Sequence, residues 1–279
     1  MVFIPLPQIP LPIRVPEIPL PMNKITALAG VVIRELYRRK DFYVLFVIVA
    51  LITLLLASVN VFNDTQVVRH LKEVCLLLIW IAALVIAVTT AARQIPFERE
   101  SRTIFPLLAK PVSRAELVLG KFLGCWLACG VALVAFYAFF TLISVAREHS
   151  LPLAIYFQAF WLHWMMLAIV IAFTLLGSLV FTAPSVNTTI SLILVTGILL
   201  LGRHLNKVAA QLPDPLGLIL SPIYFAIPHL ELFDVRDLVV HNWKPIAWSA
   251  WALASLYGAG YAAFFLGSAC LVFRRKPVN

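Results

Sequence analysis

The sequence predicts an all-α membrane protein: six transmembrane helices, an interfacial helix ahead of the first, and both termini cytoplasmic. Three observations predict it. The chain is 62% hydrophobic over 279 residues and its mean hydropathy is +0.97, whereas soluble domains are nearer half apolar. Six apolar runs approach or exceed the roughly 20 residues needed to cross the hydrocarbon core; they lie at about 42–59, 74–92, 121–146, 154–182, 185–202 and 246–273. The cations sort by side. With a cytoplasmic N-terminus and six spans, 15 Lys and Arg fall inside and 7 outside, as the positive-inside rule requires. The net charge of +9 is then a topology signal spread over separate short loops, and nucleic acid is not needed as a partner.

Residues 1–22, "MVFIPLPQIPLPIRVPEIPLPM", form a proline-rich tail. Proline recurs too often for a signal-peptide helix, and polyproline II is the expected local form. Residues 23–279 form the six-span domain. It opens on "NKITALAGVVIRELYRRKDF", where Asn23 can cap a helix and Ile25, Leu28, Val32 and Leu36 recur at helical spacing. Arg34, Arg38 and Arg39 gather toward its C-terminal end, so it is expected along the inner membrane surface with its basic side toward headgroups. The alternative is a plain extension of the first span.

The densest charge stands between the second and third spans, in residues 93–120, a cytoplasmic loop in this topology. Glu98, Arg99, Glu100 and Arg102 continue the second span, and Thr103 can cap a short helix opening on Ile104, Phe105 and Pro106. Leu107 and Leu108 keep that helix apolar, and Lys110-Pro111 ends it. "SRAE" at 113–116 then reads as a capping box for a helix running to about Val145. The product is an apolar knob with a rim of both charge signs. It suits the groove of a cytoplasmic protein; the alternative is a knob resting on the lipid interface.

Pro184 breaks the chain between the fourth and fifth spans. Segment 203–245, extracytoplasmic here, carries five prolines and is expected to make short interfacial helices. In the sixth span Ala250, Ala254, Gly258 and Ala262 form a small-residue stripe, and Gly120 and Gly124 open the third span similarly; such spacing lets helices approach closely, within one subunit or between two. Cys75, Cys125, Cys129 and Cys270 all lie in apolar runs and read as packing residues, although Cys125 and Cys129, one turn apart, could form a soft-metal pair. No Asp, Glu, Lys or Arg sits mid-span; Gln158, His163 and Asn187 are the polar exceptions. With no nucleotide-binding, metalloprotease or hydrolase motif, no catalytic residue is expected and no metal or cofactor is assigned to the chain. Any energy for transport then comes from another subunit.

The loop "ERESRTIFPLLAKPVSRAELVLGKFLG" resembles the hallmark loop of the ABC-2-type permeases, nearest the copper-enzyme-maturation and gliding-motility branch. The matching positions are Glu98, Glu100, Thr103, Leu107, Leu108, Lys110, Pro111, Val112, Ser113, Arg114, Gly120 and Lys121; Arg102 stands where that family commonly has glycine. The resemblance covers residues 23 to 276. It implies an inner-membrane exporter subunit paired with a second copy or homologue and driven by a separate ATPase that holds ATP and magnesium. The ATPase would meet Glu98, Glu100, Arg102, Thr103, Phe105, Leu107, Leu108, Lys110, Pro111 and Arg114, with Pro184, Ser185 and Asn187 as a smaller contact. A non-transporting scaffold of similar fold and an intramembrane lipid-modifying enzyme are the alternative readings.

Overall fold

The computed structural model describes residues 24–38, 40–58, 65–100, 113–211 and 227–275. They form eight α-helices and one 3-10 turn, with no strand among the described residues. The helices are α1 (Lys24–Arg38), α2 (Asp41–Ser58), α3 (Thr65–Glu100), α4 (Arg114–Glu148), α5 (Leu153–Val180), α6 (Pro184–Gln211), α7 (Arg236–Val240) and α8 (Trp248–Arg275); the 3-10 turn is Leu230–Phe233. Four stretches are long and apolar enough to cross a membrane: Val67–Glu98, Arg114–Glu148, Leu153–Val180 and Trp248–Arg275. Two shorter apolar helices, Phe42–Ser58 and Pro184–Leu200, occupy the first and fifth expected positions.

Helices α3, α4 and α5 make the buried centre, with Leu76, Ile79, Leu133, Phe136, Leu162 and Met166 almost wholly enclosed. Around it, α2 lies on α3, α6 lies on α3 and α5, and α8 lies chiefly on α5. The outside is as apolar as the inside: Leu142, Leu253 and Leu256 are about 70% exposed. In water that surface would drive association, but against lipid tails it carries no penalty.

The ends differ from the sequence reading where polar residues can extend a helix beyond hydrocarbon. Helix α3 begins at Thr65 and continues through Pro96 to Glu100. Helix α6 runs to Gln211, nine residues past the expected 202, so the first part of segment 203–245 is helix continuing from a span. The 3-10 turn and α7 are short helices of the expected kind, while residues 212–226, like the 1–22 tail, lie outside the described residues. Ser113 caps α4 as its sequence requires. Its side chain accepts from the Glu116 N–H at 3.1 Å, and its own N–H donates to Glu116 Oε2 at 2.6 Å. That closes a reciprocal capping box.

Helix α1 packs lengthwise on the first third of α4. A Cβ at Gly120 would lie 2.7 Å from Leu28 Cβ, and one at Gly124 would lie 2.6 Å from Val32 Cβ and 3.0 Å from the Ala29 carbonyl oxygen. Those pairings rise together, so the two helices run in the same direction. The apolar face of α1 is thus committed to α4, with Val32 fully buried and Ala29 5% exposed. Gly120 and Gly124 serve an intrasubunit contact. So does the α8 stripe: Gly258 sits under Phe233 and Met165, Ala262 is buried and Ala254 packs against the core.

Gly124→Val should force α1 off α4 at a cost of about 1–3 kcal/mol, seen as a lower melting midpoint and faster proteolysis of α1. Gly30→Ala, where nothing lies within 4 Å of the added Cβ, should leave both unchanged or raise the midpoint.

Candidate functional site

The expected site divides at the boundary of the described residues. Arg102, Thr103, Phe105, Leu107, Leu108, Lys110 and Pro111 lie outside them, as does the side chain of Glu100. What is visible is the frame that holds residues 101–112: the last turns of α3 and the first turns of α4. This end of the molecule is the loop end.

At the loop end the two helices are joined by an ion pair. Glu98 Oε1 lies 2.5 Å from Lys121 Nζ, with both side chains nearly buried. Glu98 was expected on a solvent-facing rim; in the structure it is 7% exposed and turned to α4. A carboxylate removed from water needs a cation and hydrogen bonds, and Lys121 supplies the charge. Pro96, two residues earlier, has no N–H to give the Ala92 carbonyl, which weakens the α3 ladder just before the pair.

Arg114 is also not a free rim charge. Its Nη1 donates to the carbonyls of Phe273 at 2.6 Å and Arg274 at 3.3 Å, and its guanidinium lies 5.3 Å from the centre of the Phe273 ring. It therefore satisfies the open C-terminal carbonyls of α8, where a cation is electrostatically favoured.

Two clefts flank the frame. One, of about 600 Å³, lies between α3 and the start of α6 and is lined by Thr89, Arg93, Phe97, Pro184, Ser185, Thr188 and Thr189. The other, of about 660 Å³, lies between α3 and α1 and is lined by Val31, Arg34, Glu35, Arg38, Arg93 and Phe97. Arg93 and Phe97 belong to both, and Phe97 is an exposed aromatic ring. Their spacing of four residues in a helical run was the signal available in the sequence; the contribution of α1 to the same surface had none. Pro184 and Ser185 line the first of these clefts. Asn187 does not: it is fully buried, donating to the Thr174 carbonyl at 3.0 Å and accepting from Ser191 at 3.3 Å. It fastens the start of α6 to α5.

At the opposite end, the far end, α3 and α4 are joined again. Lys72, 2% exposed, donates to Glu148 Oε2 at 2.6 Å, to Asn242 Oδ1 at 3.1 Å and to the Val239 carbonyl at 3.4 Å. Nearby, Arg147 donates to the Ala57 carbonyl at 2.7 Å, capping α2. Gln158 holds the chain entering α8 by a pair of 2.9 Å bonds with the Ile246 carbonyl and N–H. Asp234 binds Arg236 through Nε at 2.8 Å and Nη2 at 2.9 Å, and these bonds push the Arg236 pKa above its ordinary value, so the guanidinium stays charged.

The interior offers packing rather than chemistry. His163 is stacked on Trp80 at 4.4 Å and lies 3.4 Å from the Tyr137 hydroxyl; it is a fully buried core residue. Trp126 and Trp164 each donate their indole N–H to the other's carbonyl at 3.0 Å and stack at 4.5 Å, locking α4 to α5. The four cysteines are free thiols. Among the described residues no group of three or more His, Cys, Asp or Glu could hold a metal, so Cys125 and Cys129 gain no further ligand there.

One family model, described as ABC-2 family transporter protein, matches residues 26–269. No curated protein matches the chain. The match runs from within α1 to within α8, and ends before the last turns of α8. With the apolar helices, it identifies a multi-pass membrane protein.

Lys121→Met leaves Glu98 buried against an apolar side chain and should destabilise by about 3 kcal/mol or more. Adding Glu98→Leu should restore much of the loss. Thermal melting of the two variants checks this; equal midpoints would show that the pair is not coupled.

Proposed function

The chain belongs to the ABC-2 family of transporter proteins, and from that premise we propose that it is the permease subunit of an ATP-driven exporter in the inner cell membrane. In this reading its six apolar helices all span, with both termini cytoplasmic. The distribution of 15 cations on one side and 7 on the other supports that orientation. The likeness of the 98–124 stretch supports assignment to the copper-enzyme-maturation and gliding-motility branch. ATP and magnesium belong to a separate ATPase subunit, and a second copy or a homologue completes the membrane part.

One observation carries the coupling role of the loop end. The exposed Arg93 and Phe97 stand between two clefts, with α1 on one side and the start of α6 on the other. They sit directly before residues 101–112, whose Phe105, Leu107 and Leu108 are proposed to enter a groove of the ATPase. That arrangement offers a partner an exposed aromatic ring with charged side chains toward α1 and hydroxyls toward α6, the pattern of an interface with an apolar centre and a polar rim. A push there is delivered to α3 and α4, which the Glu98–Lys121 pair obliges to move together.

Phe105→Ala should weaken co-purification of the cognate ATPase, or uncouple its hydrolysis from transport, by about 2 kcal/mol or more, with membrane insertion intact. Phe97→Ala should act in the same direction. Phe139→Ala, which removes a ring packed 5.9 Å from Phe46, should lower yield instead. Wild-type association in both Phe105→Ala and Phe97→Ala would remove the loop end from the coupling path.

The orientation has its own test. An impermeant thiol reagent applied to intact cells should label cysteine placed at Asp237 and should label cysteine at Ser101 only after permeabilisation. Labelling at Ser101 from outside would overturn the topology.

A further inference from the structure

At the far end, α3 and α6 diverge and leave a cleft of about 460 Å³ that plays no part in the loop end. Its walls are apolar. Leu77, Ile81 and Leu84 recur along one face of α3, and Leu192, Leu199 and Leu200 along one face of α6. The cleft follows the helices for about 12 Å at 1.5 Å per residue and opens sideways, since Leu77, Ile81 and Leu200 are all exposed. Charge is confined to one end of it, where Glu231, Asp234 and Arg236 complete the lining.

Among the described side chains that charged end is not balanced. Arg236 is committed to Asp234 by two bonds of 2.8 and 2.9 Å, and its flat face rests 5.0 Å from the centre of the Trp80 ring. Glu231 is left over. Its Oε2 is enclosed and has no hydrogen-bond partner among the described residues. The carboxylate lies against Gly202, where a Cβ would have to push it aside. A carboxylate held beside apolar walls, with the nearby arginine already spent, calls for a cation that also donates a hydrogen bond.

We propose that this cleft binds a single-chain amphiphile with a primary ammonium headgroup, the chain lying between α3 and α6 and the ammonium on Glu231. The volume falls in the range of small-molecule sites, mostly apolar with few polar fixing points. The sideways opening admits the ligand from the surrounding hydrocarbon rather than from water. As a substrate class this rests on the transporter reading above; as a binding site it does not.

The probe is n-dodecylamine carrying a photoactivatable diazirine on its chain. It is applied to the full-length chain, without any ATPase, in nanodiscs of phosphatidylcholine, whose quaternary ammonium has no N–H to donate. Label is expected in the peptides containing residues 77–85 and 192–200. Unlabelled dodecylamine should compete for it at least about tenfold better than dodecanol or dodecyl sulfate. Glu231→Gln, which keeps the shape and removes the charge, should lower the labelling about tenfold, with folding followed by thermal melting. Ile81→Trp fills the cleft from the other wall and should abolish labelling whatever the outcome for Glu231. Equal competition by dodecanol, undiminished labelling of a folded Glu231→Gln protein, or label spread evenly onto the outward face of α2 would each overturn the proposal. Copy-to-copy disulfide formation through Leu200→Cys that prevents labelling would assign the cleft to a second copy instead, and would also overturn it. Failure here leaves the ATPase-association experiment untouched. Failure of that experiment leaves a positive labelling result standing.

Discussion

The structure depends on two ion pairs that tie α3 to α4 at both ends. Lys72 with Glu148 closes the far end and Glu98 with Lys121 closes the loop end. Along α3 the two sites are about 39 Å apart, and along α4 about 40 Å, at 1.5 Å per residue. The match fixes the register of an antiparallel pair, because a shift of one turn would break both contacts together. Each charge is nearly buried, so each pair is costly to split. Between them Leu76 and Ile79 of α3 and Leu133 and Phe136 of α4 are fully buried, and Trp80 of α3 hydrogen-bonds to the Tyr137 side chain of α4.

The remaining helices attach to this pair largely through backbone groups that a helix leaves open at its ends. Arg114 does this for α8, Arg147 for α2, and Gln158 for the chain entering α8. Asn187 fastens the turn at Pro184 by donating to the Thr174 carbonyl inside α5. Close approach provides the other attachment: α1 reaches α4 because Gly120 and Gly124 have no side chains to hold it away. The polar residues that look anomalous in an apolar sequence are therefore mostly joints.

This explains which features could be read from the sequence. The long apolar helices, the break at Pro184 and the Ser113–Glu116 capping box are local, set by a run of residues or by a spacing of three. The ion pairs are not local. Lys72 and Glu148 are separated by most of two helices, and Glu98 sits in a run of alternating charges where nothing marks it as the buried one. Arg114 looked like a rim charge for the same reason: its partner is the last turn of α8, at the other end of the chain. The overrun of α6 to Gln211 was hidden because hydropathy reports where hydrocarbon ends, not where a helix ends. At the loop end, Pro184 and Ser185 line a cleft, Asn187 is turned inward because its amide has partners in α5 and α6, and Arg93 and Phe97 fell in the 93–120 loop, where only the charges from Glu98 onward stood out.

The two arginines at the ends of α4 have a mechanical consequence. Arg114 grips the terminus of α8 at one end, and Arg147 grips the terminus of α2 at the other. A beam pinned at both ends to different supports has lost the freedom to slide along its length, since any axial step pulls one pin out. It keeps the freedom to tilt about either pin. An axial step of α4 would therefore break its bond to α8 at one end or to α2 at the other, whereas a tilt about one pin leaves that pin intact.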